Sequence, residues 1–228
     1  MTALFITVRD LARQNHRGTP KELNFHKANI APYLNKIRYI VVDLPDYGNT
    51  DLAGSMRETY QCNAIMQGLH DASSEDMVMY SCCDEIPDPR LLADFERCTQ
   101  EGITKVGQYL SYYYFNNRTS EPWYGTTIAR RKHFDAIVDL RNRTAETTNS
   151  MTNAGWHASY CGGIDTIHEK LIDFCHADMI APFATKEHIT GAVANGTDLF
   201  HRPDMEFTYV PRDDTFPPNI ERFPDLCL

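Results

Sequence analysis

Two apolar strands with one helix between them constrain this chain more than any other feature. Lys36–Leu44 (KIRYIVVDL) is a β-branched run apolar enough to be covered on both faces. Met56–Leu69 has helical spacing, with Met56, Tyr60 and Ala64 on one side and Gly68 near the stop. Met77–Tyr80 (MVMY) is a second short strand. Strand, helix, strand at this spacing predicts a parallel pair joined by a right-handed crossover. Both strands run into carboxylates, Asp43 after the first and Asp84-Glu85 after the second. Open α/β sheets bind their ligands at such C-terminal strand ends.

The second strand end, Ser81-Cys82-Cys83-Asp84-Glu85-Ile86-Pro87, is the sharper signal. Pro87 is expected to stop the extended pairing. In an extended segment alternate residues share a face, so Cys82 would sit with Asp84 and Cys83 with Glu85. Taken alone, the same residues also read as a plain acidic turn.

The rest of the chain supplies elements around this pair. Leu4–Val8 reads as a first strand, followed by a polar, basic loop over Arg9–Lys21. Arg90–Gly102 reads as a helix ending at glycine. Tyr109–Phe115 and Trp123–Ala129 read as an antiparallel pair added to the parallel half. Lys132–Arg141 is a short helix with Phe134, Ile137 and Val138 on its apolar side, and Arg143–Asn153 is a candidate mobile loop. Gly155–Gly163 (GWHASYCGG) predicts a strand, a Gly-Gly turn and then a helix over Asp165–Cys175. A short strand at Phe207–Val210 closes the chain. With no internal repeat and no linker, residues 1–228 are expected to form a single domain.

Composition narrows the function. Hydrophobic residues make up 42% and aromatic residues 11% of the 228, which allows a sizeable core. A net charge of −9 argues against nucleic acid as the main partner, because phosphate backbones need a cationic surface. Seven cysteines without a framework spacing or a C-x-x-C pair read as reduced thiols. No membrane-length apolar run and no basic-then-apolar leader stand in the sequence, so a cytoplasmic chain without a membrane anchor is expected.

Several constellations carry chemistry. Paired carboxylates at a strand end suit a hard divalent cation that neutralises a leaving diphosphate. Here the pattern is Cys82-x-Asp84, and a thiolate is a soft ligand for Mn²⁺ or Mg²⁺. Trp156, His157, Tyr160, Gly162 and Gly163 combine aromatic faces, which stack on sugar rings, with a turn that opens backbone amides to a ligand. They read equally as a core strand and a plain turn. His176 and Asp178, just past the expected helix, would serve as a late metal ligand or a phosphate contact, or as structural groups. Cys82 and Cys83 with His157 or His176 raise the more distant reading of a thiol enzyme, although nothing in the sequence orients a base toward either sulfur.

Taken in order, these pieces resemble glycosyltransferase family 17 over most of the chain. Gly18–Phe25 (GTPKELNF) is similar to the family's G-x-P-K-P-L-x-F, and Ile40–Pro45 (IVVDLP) to its VVVDD-P strand. Arg57-Glu58-x-x-Gln61, with Ile65 and Gly68-Leu69, resembles its E-x-x-Q-R…I-x-x-G-L helix. Ser81–Pro87 resembles S-D-V-D-E-I-P, and Gly155–Gly163 resembles G-W-H-x-S-Y-x-G-G followed by a helix reaching His176. Asn195–Pro203 resembles the family's N-G-x-D-L-F-x-R. This chain departs from the pattern at Cys82, where the first Asp would stand, and at Cys62, where an Arg would stand.

The resemblance implies a GT-A-like, Rossmann-type nucleotide-sugar fold: α/β, with a mixed, mostly parallel sheet flanked by helices. It implies inverting transfer of a sugar, N-acetylglucosamine in the animal members, from a UDP-sugar donor to a glycan acceptor. Asp43, Asp84, Arg57 and Gln61 would bind the donor, and Asp84, Glu85 and His176 would hold Mn²⁺ or Mg²⁺. Trp156, His157, Tyr160, Gly162 and Gly163 would shape the acceptor cleft. Asp165 is expected to be the base, with Glu85 beside the diphosphate as the second catalytic carboxylate. Without the Golgi anchor of the animal members, the chain fits a bacterial or viral kind of glycan-building enzyme. The alternative is a homologue of the same fold that binds a sugar or nucleotide and is catalytically impaired.

Overall fold

The structure is a computed structural model that describes residues 5–10, 31–48, 51–90, 102–143, 149–173 and 177–227. In chain order, strands β1 (Phe5–Asp10) and β2 (Ile37–Val42) precede helix α1 (Asp51–Ala64), which tightens into a 3-10 turn over Ile65–Leu69. Strands β3 (Met77–Tyr80), β4 (Glu85–Pro87), β5 (Ile103–Val106), β6 (Tyr109–Tyr112), β7 (Asn117–Thr119) and β8 (Thr127–Arg130) follow. Helix α2 (Ile137–Arg141), strands β9 (Asn149–Met151) and β10 (Gly155–Ser159), and helices α3 (Gly163–Asp173), α4 (Ala177–Ile180) and α5 (Lys186–Asn195) lead to β11 (Phe207–Tyr209).

The strands form three sheets: a β1-β2 pair, a five-stranded sheet in the order β11-β7-β6-β10-β4, and a four-stranded sheet in the order β3-β8-β5-β9. The pairs β1–β2, β6–β10 and β5–β9 are parallel. The pairs β3–β8, β5–β8, β4–β10, β6–β7 and β7–β11 are antiparallel. The chain is therefore mixed α/β, but not mostly parallel among the described residues.

The expected crossover from β2 through α1 to β3 does not form. Strand β2 pairs with β1 in full parallel register, from Phe5↔Ile37 to Asp10↔Val42, while β3 lies antiparallel to β8 in another sheet. Periodicity identifies a strand but not its partner, which is a long-range choice. Nor is β2 covered on both faces, since Tyr39 and Val41 are exposed while Ile40 and Val42 are buried. The two aromatic runs also part company. Tyr109–Tyr112 joins the five-stranded sheet and Thr127–Arg130 the four-stranded one, and they meet only in an antiparallel bridge, Gln108↔Trp123. The expected helix over 90–102 falls largely outside the described residues. Of the expected loop over 143–153, residues 149–151 are strand β9 and 144–148 lie outside them.

Packing explains the layers. Helices α3 and α5 cover one face of the five-stranded sheet, with Ile167, Leu171, Ile189 and Ala192 against Leu110, Tyr112 and Tyr160. The opposite face carries Trp156 and Phe115 against Phe216 and Ile220 of the C-terminal segment. Phe134, Ile137 and Leu140 pack on Tyr80 and Ala129 of the four-stranded sheet, joined by Cys62, Ile65 and Met66 from α1 and the turn that follows it. Each such side chain contributes about 1.5–3 kcal/mol on burial. Between Tyr80 and Glu85 the chain leaves the four-stranded sheet and enters the five-stranded one. Ser81–Asp84 is thus a bridge between two packed sheets.

Candidate functional site

The bridge is a tight turn rather than a continued strand. The Glu85 amide donates to the Cys82 carbonyl at 3.1 Å, and β4 then runs antiparallel to β10, with Trp156↔Ile86 and His157↔Glu85 in register. Pro87 ends β4, as expected, but only after the turn has opened a new strand. It occupies the last position of an edge strand, where a missing N–H costs no ladder bond. Asp84 and Glu85 point to opposite sides, as the alternation expects, but the turn sets Cys82 with Glu85 and Cys83 with Asp84 instead of the expected pairs.

Glu85 goes inward and is 3% exposed. Its Oε1 accepts from Trp123 Nε1 at 2.8 Å and from Arg141 at 3.3 Å. Its Oε2 accepts from the Cys82 amide at 3.1 Å and from the Thr126 hydroxyl at 3.4 Å. A Cβ at Gly125 would run into this carboxylate and the Trp123 indole nitrogen, so the glycine is a space requirement. Four donors from three segments make Glu85 the tie between the sheets.

Asp84 points the other way. Its Oδ2 accepts from Lys170 Nζ at 2.9 Å and lies 3.6 Å from His157 Nε2. Its backbone carbonyl accepts from the Ala158 amide at 2.9 Å. Burial alone would push the Asp84 carboxyl up. The bond from His157 and the Lys170 ammonium outweigh it and hold the group well below the usual carboxylate range. Lys170 comes from the third turn of α3, which Ile167 and Leu171 anchor in the core, and its ammonium sits 4.7 Å from the centroid of the Tyr160 ring. The His157 ring packs on Trp123 at 4.9 Å between centroids. His157 Nδ1 and both amide atoms of Gln108 are buried without a partner among the described residues. Gln108 precedes by two residues Leu110, the register partner of His157, so Gln108 and His157 face the same side of the sheet.

The remaining expected residues scatter. Trp156 is 2% exposed, with Nε1 donating to the Thr215 carbonyl at 2.8 Å, and belongs to the core under the C-terminal segment. Adjacent strand residues face opposite sides, so Trp156 cannot share the face of His157. Trp123 takes that place. Tyr160, Gly162 and Gly163 form the turn into α3 with φ of 56°, 106° and 85°, a left-handed path that glycine adopts without strain. Asp165 lies in the first turn of α3 as expected, exposed, with Oδ1 accepting from Lys186 at 2.6 Å. That bond and charge hold its carboxyl below its ordinary value.

Asp43 is exposed beyond β2, in the separate two-stranded sheet. Arg57 is buried and donates to the Gly48 carbonyl, and Gln61 is half-buried on α1. His176 and the side chain of Asp178 lie outside the described residues. The stripe of Met56, Tyr60 and Ala64 lines an open hollow of ≈ 590 Å³ with Tyr47 and Leu52, and none of the residues around Asp84 lines it.

The donor set around the bridge does not fit a divalent cation shared by Asp84 and Glu85. Glu85 already accepts four protein bonds, and Asp84 holds an ammonium. Burial pushes the Cys82 thiol up to about 11, so it is protonated at neutral pH as well as soft. Among the described residues no three His, Cys, Asp or Glu side chains group where a metal ion would be held. Cys62 and Cys82 instead bracket the Tyr80 hydroxyl at 3.5 and 3.6 Å, and among the described residues no base is hydrogen-bonded to either sulfur. Lys170, Trp123, Arg141 and Gln108 were not marked by any sequence motif. Only strand parity, which excludes Trp156, pointed toward another aromatic.

The C-terminal motif is structural in this chain. Asp198 is buried, accepts the amides of Phe200 and Arg202, and pairs with the Arg202 guanidinium at 2.6 Å. Arg202 in turn donates to the Tyr112 hydroxyl at 2.8 Å, tying the loop to the five-stranded sheet. No helix among the described residues is long and apolar enough to cross a membrane. No curated protein and no solved structure matches the chain. The family model described as glycosyltransferase family 17 matches residues 10–213, which spans every element of the bridge, the Gly-Gly turn and the C-terminal loop. By that match the chain belongs to glycosyltransferase family 17 and is a glycosyltransferase.

Proposed function

We propose that the protein transfers a sugar, with N-acetylglucosamine the first candidate, from a UDP-sugar to a hydroxyl of a glycan acceptor with inversion, on a GT-A-like nucleotide-sugar fold. The observation that carries this reading is the convergence of Asp84, His157 and Lys170 at the bridge between the sheets, where two of the family's motifs meet. Trp123 on His157 offers an aromatic wall for a sugar ring, and the unpartnered Gln108 amide offers polar atoms for its substituents.

In this reading the acceptor oxygen attacks the anomeric carbon, the bond to the diphosphate breaks, and UDP leaves with the electron pair. The acceptor's proton passes to a carboxylate. We assign that role to Asp165, the exposed carboxylate in the first turn of α3, whose bond from Lys186 has to open before it takes a proton. Glu85 holds the bridge in place.

The test is UDP release from UDP-N-acetylglucosamine and other UDP-sugars, with oligosaccharide acceptors, with and without Mn²⁺. Release that depends on acceptor is expected, and Asp165→Asn should lower kcat by about 10²–10⁴-fold. No release with any UDP-sugar overturns the reading. Cys82 in the place of the family's first Asp favours a second reading, a binding homologue without turnover. It predicts that UDP binds and is never released from a donor.

A further inference from the structure

We propose that Lys170 takes the place of the divalent cation, so that the diphosphate of the donor binds to a protein ammonium and metal is not needed for binding. This rests on the nucleotide-diphosphate reading above. Three observations carry it. The carboxylates at the bridge do not converge on one point, because Glu85 is turned inward and holds Trp123, Arg141, Thr126 and the Cys82 amide. A protonated, soft thiol stands where a third hard oxygen would complete the site. A fixed cation already occupies the remaining carboxylate, with Lys170 Nζ 2.9 Å from Asp84 Oδ2.

The geometry suits a phosphate contact. An ammonium has three donors, and one of them goes to Asp84. The Tyr160 ring face supports the charge at 4.7 Å without using an N–H. The Lys170 side chain is 37% exposed, and Asp84 is the one hydrogen-bond partner its ammonium has among the described residues. Ile167 and Leu171 anchor α3 in the core, which fixes the backbone from which Lys170 projects. Asp84 is then a positioning residue that holds the cation rather than a metal ligand. A chain with a net charge of −9 repels a diphosphate at long range, and a buttressed local cation offsets that repulsion at the point of contact.

The experiment is calorimetric binding of UDP and, separately, of inorganic pyrophosphate, each in EDTA and each with Mn²⁺. Wild type is expected to bind with the same affinity in both solutions. Lys170→Met should weaken both ligands by at least about tenfold, and Lys170→Arg should restore most of the loss. Lys170→Met is checked for folding by its thermal melt, and the metal comparison needs no variant. Binding of either ligand only with Mn²⁺ overturns the inference, as does a Lys170→Met protein that binds like wild type. Pyrophosphate binding that depends on Lys170 while UDP fails to bind supports the ammonium site and overturns the UDP reading. Binding of UDP only with Mn²⁺ does the reverse. If neither ligand binds in either solution, the inference falls, and UDP release decides the donor separately.

Discussion

Gln108 and Lys105 show two different uses of buried polarity. The Gln108 amide is buried with neither atom partnered among the described residues, a state that costs stability unless a ligand or water repairs it. Gln108→Leu is therefore expected to leave the urea midpoint unchanged or raised, by up to about 1 kcal/mol of stability, and to raise KM for the donor. A lowered midpoint with unchanged KM would make Gln108 a structural residue only. Lys105 is fully buried, with Nζ donating to the Arg141 carbonyl at 2.8 Å, and burial lowers its pKa to about 8. Between about pH 8 and the unfolded value near 10.5 the unfolded chain binds the extra proton. Stability from this group thus rises with pH across that window and is at its lowest below it. Compared with Lys105→Met, wild type should gain roughly 1–3 kcal/mol from pH 7.5 to pH 10 in urea unfolding. A difference that stays flat with pH would contradict the assignment.

At the scale of elements, the turn over Ser81–Asp84 decides the site. It was legible in the sequence as a carboxylate-bearing strand end, and β3, α1, β10 and α3 all fall where their periodicity places them. Its geometry was not legible. An extended segment would have set Cys82 beside Asp84, whereas the turn sets Cys82 beside Glu85 in the core and leaves Asp84 to Lys170. The partner strands were hidden for the same reason: β3 and β4 lie in different sheets because of contacts with β8 and β10, which are far away in sequence. The parity of β10 was available and informative, since Trp156 and His157 cannot share a face. Gly125 reports how tightly the turn is packed. Gly125→Ala would press a Cβ on the Glu85 carboxylate and the Trp123 indole, so a loss of about 1–3 kcal/mol is expected in denaturant unfolding. A neutral result would mean that Glu85 moves freely, and it would weaken the case for a fixed bridge.

At the scale of the whole molecule, the two larger sheets are joined at the bridge that carries Asp84 and Glu85, and a separate hollow lies along α1. The family was legible because its motifs recur in order over most of the chain. Asp43, Arg57 and Gln61, expected to bind the donor, lie just beyond β2 and on α1, away from the ladder that joins β4 to β10. In the proposed binding mode the donor's diphosphate lies against Lys170, which Asp84 positions, with its sugar toward Trp123 and His157. The most direct test is a crystal structure with UDP bound. Diphosphate density within hydrogen-bonding distance of Lys170 Nζ is the predicted result. UDP seated in the hollow lined by Tyr47, Leu52, Met56 and Tyr60, with Lys170 still closed on Asp84 and away from phosphate, would contradict it.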